Sequence, residues 1–185
     1  MPHILLFTGH MIDRTDRPMP RFPPAKQGAA AFAIRTVLQQ QVATYGAASL
    51  RGIAAAACGG DILFHEACRD LHIPGEIWLG IPPGAFEQTS VAFAGPDWVA
   101  RYRKLVNILP VHVLHPGLDA GAPDSVWEEA NQWMLTHSLA TGGWNMTLIA
   151  LWDGMKGDGM GGAEHMVGVA GAHHATIEII NVATL

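Results

Sequence analysis

Short apolar runs alternate along the chain with longer segments in which apolar positions recur at helical spacing. The short runs are nearly continuous, without the strict alternation of a strand that has one face in water. Strands of this kind are typical of parallel sheets that are covered by helices on both faces. Six strands are predicted, at residues 3–8, 50–57, 76–81, 111–114, 146–152 and 176–182.

Helical segments separate these runs. Helices are predicted at residues 26–45, 62–71, 97–106, 124–139 and 162–173. Alternation of strands and helices predicts an α/β fold: a Rossmann-like, doubly wound, mostly parallel sheet of about six strands with helices on both faces. No linker or internal repeat divides the chain, so residues 1–185 are expected to form a single nucleotide-binding domain.

Composition narrows the class of protein further. Hydrophobic residues make up 49% and charged residues 15%, which excludes a disordered chain. The net charge of −5 argues against the basic surface that non-specific duplex binding requires, so no nucleic acid partner is expected. Two cysteines form no disulfide framework, and no apolar run approaches the roughly 20 residues of a membrane span. A cytoplasmic location without membrane association is therefore expected.

The loop after the first predicted strand combines a glycine turn with arginines. Thr8, Gly9 and His10 end the strand, and Arg14 and Arg21 lie in the long loop before the first helix. Glycine lets a backbone approach a ligand closely, and arginine binds phosphate through paired N–H groups. Loops of about 15 residues inside a compact domain are usually functional. The alternative interpretation is an ordinary turn and a solvated loop whose arginines are balanced by nearby acids.

A second glycine turn joins a buried strand to a helix. Gly59 and Gly60 lie at the junction, where free amides and the helix dipole would favour an anion. Asp61 is interpreted as the N-cap of this helix, with a contact to ribose or base as the alternative. Glu66 lies further along the helix, and it either faces the ligand or is an ordinary surface acid.

The third glycine turn follows the fifth predicted strand. It begins at Asp153 and Gly154, ends at Gly161 and Gly162, and leads into a helix at Ala163. A glycine-rich loop between a buried strand and a helix is typical of a phosphate-binding segment. The alternative is a flexible surface loop. Because parallel strands place their carboxyl ends at one edge, the three turns are expected to lie near each other.

These turns together resemble a known group of proteins. Residues 7–10 are similar to its first glycine turn, and residues 59–67 with 78–82 to its second turn, helix and third strand. Residues 148–154 and 161–163 are similar to its late strand and glycine turn. In this order and spacing the chain resembles the SLOG superfamily of Rossmann-like nucleotide sensors. That superfamily includes the "lonely guy" phosphoribohydrolases and related DNA-processing proteins, and the resemblance covers most of the chain.

The resemblance implies that the protein binds or senses a nucleotide or a nucleotide-derived small ligand. It also implies a homodimer and leaves room for an effector protein partner. The alternative is a hydrolase that cleaves the N-glycosidic bond of a nucleoside monophosphate, with Glu66 or Glu164 as the catalytic acid. The family's catalytic run is Gly-Thr-x-Glu, whereas this chain has Ala163 for the threonine and His165 at the position of the acid. Whether the chain is an enzyme stays open at this point.

No cofactor or metal ion is expected from the sequence. The chain has 10 histidines, but it has no His-Glu-x-x-His run, because His65-Glu66 lacks a second histidine at the required spacing.

Overall fold

A computed structural model describes residues 1–155 and 162–185 and contains a six-stranded sheet. The strands are β1 His3–Gly9, β2 Leu50–Ala54, β3 Gly75–Leu79, β4 Val111–Val113, β5 Met146–Trp152 and β6 Thr176–Asn181. Each neighbouring pair of these strands is parallel, and their order across the sheet is β4-β3-β2-β1-β5-β6.

Helices cover both faces of this sheet. They are α1 Gln27–Tyr45, α2 Gly60–Asp70, α3 Pro83–Ser90, α4 Pro96–Ile108, α5 Ser125–Leu139 and α6 Ala163–Ala172. One core contains buried side chains of α1, α2, α3 and α4 together with Val126 at the start of α5, and a second core contains later buried residues of α5 and those of α6. The prediction of a doubly wound, Rossmann-like α/β fold is confirmed.

The apolar runs of the sequence are explained by these two cores. Along β1, Leu5 and Phe7 belong to the core beneath α1 and α2, whereas Leu6 belongs to the core beneath α5 and α6. All but the last residue of β5 are buried. A central strand that is covered on both faces favours apolar side chains at successive positions, which removes the alternation of a half-exposed strand.

Several predicted element boundaries need correction. The second strand ends at Ala54 rather than residue 57. Further along, the amides bond outside the sheet: the Ala57 N–H donates to Asp61 and the Cys58 N–H to the Ser90 carbonyl. The sequence prediction missed α3. Its first residue is Pro83, which suits the first turn of a helix because no intrahelical partner is needed there for its absent N–H. The structure also corrects the N-cap of α2, which is Gly59 and not Asp61.

Strand order changes direction at β1. Strands β2, β3 and β4 lie in succession on one side of β1. Helix α5 then connects β4 to β5, which pairs with the other side of β1. In sheets of this type the crevice at such a reversal, beyond the carboxyl ends of the strands, is where ligands bind. Among the residues that the structure describes, no helix has the length and apolar character needed to cross a membrane.

Candidate functional site

A cavity of about 1230 Å³ opens at the carboxyl ends of the central strands. Small-molecule sites typically measure about 300–1,000 Å³, so a nucleotide-sized ligand fits this space. Its most buried lining residues, which we call the floor, include Phe7, Asp61 and Trp78. Its walls come from the loop after β1, from α3, from α5 and from the beginning of α6.

The structure brings most of the predicted binding residues to this cavity. Those that line it are Thr8, Gly9, His10, Arg14, Arg21, Asp61, Gly162 and Ala163. Those that do not line it are Gly59, Gly60, Glu66, Asp153, Gly154 and Glu164. Gly161 lies outside the described residues.

The arginine-bearing loop has a defined fold. Asp13 accepts hydrogen bonds from the backbone N–H groups of Arg21 and Phe22, each at 2.8 Å. Its own N–H donates to the Phe22 carbonyl at 2.9 Å, and the Phe22 ring is fully buried. The loop is therefore closed at Asp13 and anchored in the core by Phe22, so the backbone from which its arginines extend is held in place.

Arg14 differs from the other arginines in its surroundings. Its guanidinium lies over the ring of Phe93, 4.0 Å from the ring centroid, in a cation–π contact at the cavity wall. Within residues 1–155 and 162–185 it forms no ion pair. The arginines that do pair with a carboxylate are Arg17, Arg21, Arg35, Arg51, Arg69, Arg101 and Arg103.

Arg21 connects the loop after β1 to the loop after β5. Its Nε and one Nη lie 2.6 and 2.7 Å from the two oxygens of Asp153. The hydrogen bonds from Arg21, with smaller contributions from the Met155 N–H and His10, hold the pKa of Asp153 well below its usual range despite its partial burial. Asp153 thus has a role other than the predicted ligand contact, because it fixes an arginine that itself lines the cavity.

His10 lies beside this ion pair. Its Nε2 is 3.4 Å from an oxygen of Asp153 but has no hydrogen bond among the described residues. Burial and then the positive charge of Arg21 lower the pKa of His10, against the opposing effect of Asp153. The imidazole is therefore neutral at neutral pH, and its Nε2 is enclosed by protein although the residue as a whole lines the cavity.

Asp61 is a buried carboxyl at the floor, with a relative exposure of 8%. One of its oxygens, Oδ2, accepts a hydrogen bond from the Ala57 N–H at 3.1 Å. Burial raises the pKa of Asp61 from 3.8 to about 7, which the bond from Ala57 only partly opposes. Both the ionised and the protonated form are thus present near neutral pH.

The second glycine turn serves packing rather than anion binding. Gly60 N–H donates to the His10 carbonyl, and Ile12 N–H donates to the Cys58 carbonyl, so the loop after β1 covers the start of α2. Gly59 has φ +115°, and a Cβ there would lie 2.8 Å from the His10 oxygen and the Ile12 nitrogen. Glycine is needed at this position because two backbone segments meet there, and the anion site predicted at Gly59 and Gly60 is corrected accordingly.

The two predicted catalytic acids lie away from the cavity. Glu66 is paired with Arg101 at 2.6 and 2.9 Å, and Arg101 in turn lies over Trp98. Glu164 is exposed in the first turn of α6 and does not line the cavity. Neither residue is therefore in a position to stabilise a reacting ligand there. Cys58 is fully buried, and burial raises its thiol pKa to about 12, which excludes an activated thiolate.

The wall formed by α5 was largely missed by sequence reasoning. Trp127, Glu128 and Asn131 line the cavity together with the first residues of this helix, Asp124 and Ser125. No local pattern marks these residues, because α5 reaches the site through the long return from β4 to β5.

Comparison with known proteins gives a match at the level of structure. The sequence matches no protein-family model and no curated relative. The fold is similar to the X-ray structure of DNA processing protein A (DprA) from Streptococcus pneumoniae, with a TM-score of 0.57 and 13% sequence identity. The similarity covers 96% of this chain, which spans 50% of the length of that protein. At this level of identity the likeness establishes the Rossmann-like fold.

The comparison also overturns one expectation. Nucleic acid was excluded as a partner on the basis of net charge, but this fold occurs in a protein that processes DNA. The exclusion was wrong because net charge describes the whole surface and does not constrain the field inside one cleft or loop. Here Arg14, Arg17 and Arg21 all come from one loop at the cavity, although the lining also contains acidic residues: Asp13, Asp16, Asp61, Asp124 and Glu128.

Proposed function

We propose that the protein binds or senses a nucleotide-type ligand in the cavity, with the ligand's phosphate held by Arg14. The observation that carries this proposal is the guanidinium of Arg14 at the cavity wall without a carboxylate partner in the described part of the chain. Guanidinium groups bind phosphate in bidentate fashion, and the cation–π contact with Phe93 helps to hold this exposed guanidinium at the cavity wall.

Aromatic side chains in the same cavity support a base as the other end of the ligand. Phe86, Phe93, Trp78 and Trp127 all line it. Stacking of a base on an aromatic side chain contributes about 1–3 kcal/mol and tolerates different bases. A phosphate at the arginine loop and a base between these rings is the arrangement that we propose. Membership of the SLOG superfamily belongs to the same proposal, supported by the three glycine turns and the shared fold.

A binding experiment with a matched control tests the proposal. Thermal-shift and calorimetric titrations would use AMP, GMP, ADP and ADP-ribose with the wild-type protein, Arg14→Ala and Arg35→Ala. Arg35 is half-exposed and paired with Asp70 away from the cavity, which makes it a suitable control. We expect Arg14→Ala to weaken binding about tenfold or more, because a charge-assisted hydrogen bond contributes about 1.5–3 kcal/mol. Arg35→Ala should bind as the wild type does.

Two outcomes would count against the proposal. If none of these nucleotides raises the melting temperature at millimolar concentration, the cavity does not bind this class of ligand, because binding to the folded state must stabilise it. If nucleotides bind equally well to the wild type and Arg14→Ala, the phosphate is held elsewhere and the proposed orientation of the ligand is incorrect.

Binding of single-stranded nucleic acid is a second candidate, favoured by the structural similarity to DNA processing protein A. Aromatic rings beside arginines are the elements with which proteins bind single strands. Fluorescence anisotropy with a labelled oligonucleotide at several salt concentrations tests this candidate. Affinity that falls with salt and decreases in Arg14→Ala supports it, whereas the absence of binding at low salt rejects it.

A cytoplasmic location is part of the same proposal. Cys58 and Cys68 are both free and buried, which suits a reducing compartment.

A further inference from the structure

One carboxyl oxygen of Asp61 accepts a hydrogen bond from the protein, and the other accepts none from the described residues. Oδ2 accepts the hydrogen bond from the Ala57 N–H, whereas Oδ1 accepts none from residues in the described ranges. The side chain is more than nine-tenths buried, and the surface that it retains belongs to the cavity that it lines. A hydrogen-bond acceptor is therefore present at the floor with no protein donor to satisfy it, which is costly unless a ligand or water donates to it.

The cavity that Asp61 lines also has apolar lining residues. Phe7, from the core beneath α1 and α2, and Trp78, from the core beneath α5 and α6, line it with relative exposures of 1% and 4%, and the small side chains of Ala55 and Ala57 line it as well. A phosphate would be repelled by the carboxylate of Asp61 and is better placed at the arginine loop. A nucleobase combines an apolar ring with an edge that carries hydrogen-bond donors, so it matches both features of the floor.

We propose that Asp61 determines base specificity by accepting a hydrogen bond from the exocyclic amino group of a nucleobase. The ligand class is then narrowed to nucleotides of adenine, guanine or cytosine, as against bases without an amino group. This inference rests on the proposed nucleotide-binding function and assigns the base end of the ligand, whereas Arg14 was assigned to the phosphate end.

Ionisation of Asp61 should make the preference for an amino-bearing base depend on pH. Burial raises the pKa of this carboxyl to about 7, and the ionised form is the stronger acceptor. Preference for an amino group should therefore increase from about pH 6 to about pH 8. Other titratable or charged groups that line the cavity are His10, Asp13, Arg14, Asp16, Arg17, Arg21, Asp124 and Glu128. The thiol of Cys58 is also close enough to interact with Asp61, and its raised pKa keeps it neutral over this range.

The test compares probes that differ only in an amino group. AMP is paired with purine riboside 5′-monophosphate, and GMP with inosine 5′-monophosphate, in calorimetric titrations at about pH 6, 7 and 8. Asp61→Asn retains an acceptor for the Ala57 N–H and removes the ionisable group. Asp124→Asn is the matched control, because Asp124 lines the same cavity but is exposed.

We expect the wild type to prefer the amino-bearing member of a pair by about tenfold or more at pH 8, the value of one hydrogen bond to a charged group. The preference should weaken at pH 6, disappear in Asp61→Asn and persist in Asp124→Asn. If Asp61→Asn retains the preference, or the wild-type preference does not change with pH, the inference is wrong while nucleotide binding stands. If none of the four probes binds, the proposed function fails and this inference fails with it.

Discussion

Asp61 should make the folded protein less stable as pH rises. Its pKa is raised by burial from 3.8 to about 7, so between these values the folded chain retains a proton that the unfolded chain has released. The stability associated with this proton is complete below about pH 4 and is lost as pH rises through about 7. One unit of pKa shift corresponds to about 1.4 kcal/mol, so the full loss is about 4 kcal/mol. Water in the cavity can solvate the free oxygen, which makes this value an upper limit.

The variant Asp61→Asn isolates this contribution. Urea unfolding of both proteins would be measured at several values between about pH 5 and pH 8, and the free energy of unfolding extrapolated to water. All other titratable groups are common to both proteins, so their contributions cancel in the difference. Asp61→Asn should become more stable relative to the wild type by up to about 3 kcal/mol between pH 5 and pH 8. A difference that stays constant with pH, or that has the opposite sign, would refute the assignment of a raised pKa to Asp61.

Three further predictions concern packing, thiol chemistry and the loop after β1. Gly59→Ala should lower the free energy of unfolding by about 1–3 kcal/mol, because the position has φ +115° and its Cβ would meet backbone atoms at 2.8 Å; unchanged thermal stability would contradict this. Burial raises the thiol pKa of both Cys58 and Cys68, so a disulfide reagent should label the native protein very slowly and the urea-unfolded protein fully; rapid native labelling would show that a thiol is accessible. Arg21→Ala removes the bidentate pair with Asp153, and limited proteolysis should then cut the loop after β1 sooner than in Arg35→Ala; equal cleavage patterns would mean that Asp13 alone holds the loop.

The fold was predictable because its strands are constrained on both faces. Leu5 and Leu6 are successive residues that lie in different cores, so both positions require apolar side chains. Each central strand therefore appears in the sequence as a short, continuous apolar run. The missed helix α3 begins at Pro83, two residues after the end of the predicted third strand. A local pattern does not distinguish a proline that begins a helix from one that ends a strand.

The site was less predictable because its residues are positioned by contacts between distant segments. The amides at Gly59 and Gly60 looked free in sequence, but Met11 pairs with Gly59 and the loop after β1 takes the available bonds. Glu66 gave no indication of which side of α2 it would occupy, and its partner Arg101 belongs to another helix. The glycine turns therefore identified the correct edge of the sheet, while the roles of individual residues depended on tertiary contacts.

The central position of β1 in the sheet also affects the order in which the sheet can form during synthesis. In the sheet Ile4 lies beside Met146, so synthesis delivers β1 to β4 long before the strand that forms the other flank of β1. Contacts between such distant segments form slowly. A nascent chain that ends after α4 already contains Asp61 and the arginine loop, but it lacks the wall that α5 supplies and the edge that ends at Trp152. Binding of the proposed ligand would thus require β5 and the α5 wall to be in place, and a ligand present during synthesis would act on a late step of folding rather than the first.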